Sequence, residues 1–195
     1  MRKAQAGTKT VVIDGIVVGQ VTSTGDMARD AEAARDLLKS KGIHLEISRF
    51  QAILNQAVGF TNTSAYLYER DLRRSPFNGV SAAPFVVNAA FGIELYLKAL
   101  AAKDGVLLRG HELVKLYESL PRTAQQEIDA VIPKCAASRK LGEPPRFLAY
   151  LTDLNNTFVD WRYSYEAETP MAVHIEPTIF VMQVLHEACH LPPAA

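Results

Sequence analysis

Near the end of the chain, His186-Glu187-Ala188-Cys189-His190 fits the zinc-protease pattern His-Glu-x-x-His. On a helix the two histidines stand one turn apart and can share a Zn²⁺, while the glutamate can activate a metal-bound water. A catalytic site of this kind needs a third protein ligand. Only Leu191-Pro-Pro-Ala-Ala195 follows the motif, so that ligand would come from upstream, with His174, Glu176 and Cys135 as the available groups. The simpler reading of His186, Glu187 and His190 is the polar face of a terminal helix, and no metal or other cofactor is expected.

A second set of chemical groups centres on Arg162. It follows Phe158 by four residues and precedes Tyr165 by three, which sets it beside an apolar stripe. A guanidinium there needs an anionic partner. Glu94 sits in a similar position, within the most apolar segment of the chain and one helical turn before Lys98. Two readings stand: an internal Glu94–Arg162 bridge that locks two helices, or an anion site in which Arg162 binds phosphate and Tyr163 and Tyr165 lie near for stacking. His111, just after Gly110 at a helix start, serves either as a helix-end contact across the fold or as a catalytic group. Arg70, Arg73 and Arg74, and separately Arg139 and Lys140, form either solvated faces or a basic rim. There is no Gly-x-Ser-x-Gly, no phosphate loop and no Gly-x-Gly-x-x-Gly.

The elements that must position these groups are mainly helical. The exception comes first. Two β-branched runs within Thr10–Val21 flank Asp14-Gly15, a strong hairpin signal. Asp26 then opens a helix over Met27–Lys41, stopped by Gly42. A helical segment from Ile47 to about Asn55 extends toward Arg70 unless Gly59 and the polar run Thr61–Ser64 interrupt it. Pro84 suits the first turn of an apolar helix, Phe85–Lys103. A short helix spans His111–Leu120. Thr123 and Gln126 resemble a capping box for a helix over Gln125–Val131, and Pro133–Pro145 reads as a loop. Phe147, Tyr150, Leu151, Leu154, Phe158, Trp161 and Tyr165 recur at steps of three and four, which predicts one long helix over Phe147–Glu166 with Trp161 in the core. A last helix runs from Pro177 to about His190. The expected fold is an antiparallel helical bundle (46–195) with a β-hairpin and helix appended at its N-terminus (1–45).

Composition narrows the function. The chain has 195 residues, 48% of them hydrophobic, enough for a real core. It balances 21 basic against 21 acidic residues, which excludes binding nucleic acid by bulk positive charge. Two cysteines, Cys135 and Cys189, are too few for a disulfide scaffold. No signal peptide is read at the start, and the nearly uncharged stretch Phe77–Ile93 is short of a membrane span. A cytoplasmic protein without a membrane partner is expected.

Three fragments share a wider likeness: Asn88-Ala-Ala-Phe-Gly-Ile-Glu-Leu-Tyr-Leu-Lys-Ala-Leu100, Arg109-Gly-His-Glu-Leu-Val-Lys-Leu-Tyr117 and Phe158-Val-Asp-Trp-Arg-Tyr-Ser-Tyr-Glu166. In this order they resemble the HEPN superfamily of small helical domains, over roughly Ile47–His190. The resemblance implies a bundle that dimerises. It also implies binding or cutting of RNA, or a place in toxin–antitoxin or defence systems, often beside a nucleotidyltransferase. Nuclease members have an arginine, four to six residues, then a histidine. After Arg162 those histidine positions hold Ala167, Glu168 and Thr169. The resemblance therefore implies a non-catalytic binding or regulatory homodimer that presents Glu94, Arg162 and Tyr165 to RNA, a nucleotide or a partner enzyme. The alternatives are a metal-independent ribonuclease with an altered site of Arg162, Tyr163 and His111, and a zinc hydrolase.

Overall fold

The computed structural model describes residues 7–13, 15–43, 47–141, 143, 145–155, 160–161 and 172–192. They are mainly helical, with one two-stranded antiparallel hairpin at the N-terminus followed by a helix. The chain divides into two compact units, 1–47 and 48–195.

In the first unit, β1 (Thr8–Ile13) pairs with β2 (Ile16–Thr22), with an irregularity in register between Val11 and Val12. Gly15 takes φ +80°, the left-handed conformation that so tight a turn requires. Helix α1 (Met27–Ser40) lies on β2, and Leu37 approaches Gly19 so closely that a Cβ there would stand 3.0 Å from a leucine methyl. Asp26 caps α1 by accepting from the amides of Ala28 and Arg29. Asp30 fastens helix to hairpin. Its buried carboxylate accepts from Lys9 Nζ (2.8 Å), Ser23 Oγ (2.7 Å), the Thr24 amide (2.6 Å) and Thr24 Oγ1 (2.8 Å). These donors hold the Asp30 carboxyl far below the usual carboxylate range, the Lys9 hydrogen bond foremost.

The second unit contains α2 (Arg49–Leu67), α3 (Ala82–Lys103), α4 (Leu113–Glu118), α5 (Arg122–Ser138), α6 (Phe147–Asp153) and α7 (Ile175–Cys189). Helix α3 is central, with α2, α4 and α7 against it; α7 also packs on α5 and α6. Its buried residues occupy nearly every face, from Phe85 to Ala101, so the sequence has no stripe there to mark a solvent side. A segment Gly79–Lys103 is long and apolar enough to cross a membrane, with mean hydropathy 1.5, and most of it is buried inside this unit, as for a core helix. Tyr96, Phe85, Phe180, Ile128, Leu151 and Leu185 are the large side chains at the centre, each 1% exposed or less. Each is worth ~1.5–3 kcal/mol of burial.

Of the two readings of the segment toward Arg70 the continuous one holds: α2 runs unbroken through Gly59 and Thr61–Ser64, then widens into a π-helical turn at Tyr68–Leu72. The polar run is tolerated because its hydroxyls find carbonyls: Thr61 Oγ1 donates to Ala57 O (2.9 Å) and Ser64 Oγ to Phe85 O on α3 (2.8 Å). Several expectations are corrected. The expected capping box is not used. Helix α5 begins at Arg122, and Thr123 donates instead to Asp104. It then continues through Pro133 to Ser138, where a loop was expected. A proline inside a helix removes one hydrogen bond, but Val131, Cys135 and Ala136 are buried and hold the segment against the body. The short helix is Leu113–Glu118, so His111 lies before it and not within it. The long helix expected over Phe147–Glu166 is also corrected. Helix α6 stops at Asp153, and Asn155, just beyond, turns its side chain to accept from the Val114 amide in the first turn of α4 (2.9 Å). Asp160 and Trp161 are again helical, Trp161 half-buried, and the rest of that stretch lies outside the described residues.

Candidate functional site

Two of the three sequence fragments singled out above, those of Glu94 and His111, meet in space. Glu94, on the buried face of α3, is only 2% exposed. Lys98, one turn on, donates to its Oε1 at 2.6 Å, and His111 Nδ1 lies 3.2 and 3.1 Å from its two oxygens. Gly110 at φ +97° makes the turn that returns His111 over α3. The imidazole is 71% exposed, so the buried carboxylate holds a ring that stays open to solvent. Glu94 therefore has two side-chain partners, the Lys98 ammonium and the His111 imidazole. Arg162, Tyr163 and Tyr165 lie outside the described residues, as does any Glu94–Arg162 bridge.

The basic residues are paired. Arg70 is bidentate on Asp71 (2.7 Å for both bonds) and stacks over the Tyr66 ring, while Arg73 grips both oxygens of Glu69 through Nη1 (2.7 and 2.9 Å). Arg139, at the end of α5, holds Glu176 on α7 through Nε (2.8 Å) and Nη2 (2.6 Å), which lowers the Glu176 carboxyl. Arg74 and Lys140 are exposed.

A groove runs between α2 and α7. One part, about 240 Å³, is lined by Tyr68, Glu69, Arg73 and Arg139; the next, about 310 Å³, by Thr61, Asn62, Tyr96, Gln183 and His186. Ala65, Ile179 and Met182 line both parts and form an apolar middle. The second part ends in a buried polar chain: Tyr96 OH lies 3.1 Å from Thr61 Oγ1 and 2.9 Å from His186 Nδ1. Burial raises the Tyr96 phenol and lowers the His186 imidazole, the latter helped by the neighbouring His190. Sequence reasoning passed over Thr61, Asn62, Tyr68, Tyr96 and Gln183. The available signal was the polar run Thr61–Ser64, whose hydroxyls and amide sit inside an apolar helix.

In the His-Glu-x-x-His segment, the rings of His186 and His190 lie 4.2 Å apart, and Glu187 is bonded to Lys134 Nζ at 2.7 Å, which lowers its carboxyl. Among the described residues no group of three His, Cys, Asp or Glu is placed to hold a metal. His174 is at the opposite end of α7 and Glu176 is taken by Arg139. Cys135 and Cys189 are buried free thiols, and burial pushes Cys189 up to about 12. No family model, curated protein or solved structure matches the chain.

Proposed function

We propose that the helical unit is a HEPN-like binding and regulatory module, without catalysis of its own, that takes a nucleotide or the end of a short RNA in the groove between α2 and α7. In this reading it acts as a homodimer, in a toxin–antitoxin or defence setting, on or beside a partner enzyme. The observation that supports it is the lining of the groove. Tyr68 offers a ring for stacking, Arg73 and Arg139 offer guanidinium donors, and Asn62 and Gln183 offer amides for base edges. Glu69 occupies only Nη1 of Arg73, and Glu176 only Nε and Nη2 of Arg139, so each guanidinium keeps N–H groups for phosphate. The volume suits one nucleotide. Calorimetry with the four ribonucleoside monophosphates and a short single-stranded RNA tests this. Saturable binding that weakens with salt and falls at least ~10-fold in Arg73→Ala is expected. Binding that ignores Arg73→Ala and Arg139→Lys would sink the assignment.

One observation favours a second reading, metal-independent RNA cleavage with His111, Arg162 and Tyr163. The buried Glu94 orients an exposed imidazole, the arrangement a general base requires. Cleavage that persists in chelator and disappears in His111→Ala would establish it over the binding reading.

A further inference from the structure

The His-Glu-x-x-His segment is absorbed by neither reading, and its histidines are more constrained than a solvated face requires. Their proton positions follow from hydrogen-bond counting. Thr61 Oγ1 lies 2.9 Å from Ala57 O, and a carbonyl only accepts, so the Thr61 proton is committed there. Tyr96 OH, 3.1 Å from Thr61 Oγ1, must then donate to it. The phenol has no second proton, so at the 2.9 Å contact His186 Nδ1 must be the donor. The opposite order would set two oxygen lone pairs against each other at Ala57. His190 is fixed in the same way: its Nδ1 is 2.7 Å from the backbone carbonyl of His186, one of the unpaired acceptors at the end of α7, and it too must donate. Both rings therefore have Nδ1–H engaged, which in the neutral imidazole leaves the lone pair on Nε2. Every buried side-chain nitrogen or oxygen among the described residues has a hydrogen-bond partner. His186 Nε2 is not among these buried, bonded atoms and opens to solvent on the wall of the groove.

We propose that His186 and His190 form a two-histidine site for a borderline divalent ion, Zn²⁺, Ni²⁺ or Cu²⁺, bound through both Nε2 atoms. The placement fits. Imidazoles one turn apart stand 4.2 Å between centroids and 38° between planes, and two Zn–N bonds of ~2.05 Å at a tetrahedral angle would set the centroids ~5.2 Å apart, so the rings open by ~1 Å, a change that the exposed His190 side chain can make. Each ligand ring is held by an acceptor on its far nitrogen, Tyr96 oxygen for one and a carbonyl for the other, the outer contact that fixes tautomer and direction in histidine metal sites. Neutral imidazoles select Zn²⁺, Ni²⁺ and Cu²⁺ over Mg²⁺ and Ca²⁺, which need oxygen ligands. The site is not a hydrolase centre. Glu187 is held by Lys134, and no third described side chain closes the sphere, so the remaining positions belong to water or to a donor atom of whatever occupies the groove. Tyr96 and Thr61 are positioning residues here. This inference does not depend on the nucleotide reading.

The test uses the full chain and the metal alone. Calorimetric titration with Zn²⁺ and Ni²⁺ in a non-chelating buffer is expected to show one site, weakened at least ~10-fold by His186→Ala and by the exposed His190→Ala. Tyr96→Phe should weaken it less, by up to ~10-fold, and Glu187→Gln should leave it unchanged. Long-range ¹H–¹⁵N correlation on the metal-free wild type, which needs no variant, should find both histidines as the Nδ1–H tautomer. Unchanged affinity in either histidine variant, a ~10-fold loss in Glu187→Gln, or an Nε2–H tautomer at His186 would each overturn the proposal.

Discussion

At Gly92 helices α2 and α3 lie too close for a further carbon, and its replacement gives a sharp test of how the site is built. A Cβ at this position would stand 2.4 Å from Thr61 Cγ2 and 3.4 Å from both Ala57 O and Thr61 N. The backbone contacts are snug but ordinary; the methyl contact is impossible. Thr61 is β-branched and stiff at χ1, and turning it would break the hydroxyl bonds to Ala57 O and Tyr96 OH. Gly92→Ala must therefore either spread the two helices or sever the polar chain that holds His186. Overpacking costs about 1–3 kcal/mol and a lost hydrogen bond about 1, while alanine in place of glycine returns up to ~1 kcal/mol of helix propensity. A net loss of about 1–2 kcal/mol is expected, or a Tm fall of roughly 2–8 °C at this chain length. Urea unfolding followed by circular dichroism at the helix band measures it. Thr61→Ser removes only the offending methyl and keeps the hydroxyl, so the double variant should recover about 1 kcal/mol relative to Gly92→Ala. A Gly92→Ala protein as stable as wild type, or no recovery in the double variant, would refute the packing argument.

Other perturbations follow from the same contacts. Pro133→Ala, at an exposed position inside α5, should stabilise the helical unit by about 1–2 kcal/mol in urea unfolding, since it restores a backbone donor and loses no packing. Glu94→Gln should lower stability by about 1–3 kcal/mol, because Lys98 loses its counter-charge at a position only 19% exposed; a thermal melt reads it. The Asp30 carboxyl is lowered in the folded state, so its stabilisation is present above the ordinary value of 3.8 and is lost as pH falls below it toward the folded value. Backbone amide signals of the hairpin should therefore broaden or shift to unfolded positions in that acid range, and Asp30→Asn should show the loss at neutral pH. Phe180→Ala should cost about 3–5 kcal/mol, since the ring is fully buried and meets Tyr150 edge-on at 5.7 Å between centroids.

Local signals alone placed much of this fold. Asp14-Gly15 between β-branched runs needs nothing beyond turn geometry to make a hairpin, and Asp26 and Gly42 bound α1 through caps that act within a few residues. Apolar content across Phe85–Leu100 required a buried central helix wherever it packed. What depended on distant partners was not legible. Thr61–Ser64 looks like an interruption until Phe85 O and Tyr96 OH arrive from α3 to satisfy it. Pro133 reads as a breaker until its neighbours are buried, and a regular stripe through Phe147–Tyr165 does not show that Asn155 will leave helical pairing to cap α4. The site divides the same way. The motif residues Glu94, His111, His186 and His190 were identifiable by type and spacing in the sequence itself. Only the tertiary structure decided that Glu94 would face Lys98 and His111, and that a tyrosine on α3 would fix the proton of a histidine on α7. Hydrogen bonds and packing between helices are set by residues tens of positions apart, which spacing along one chain does not record.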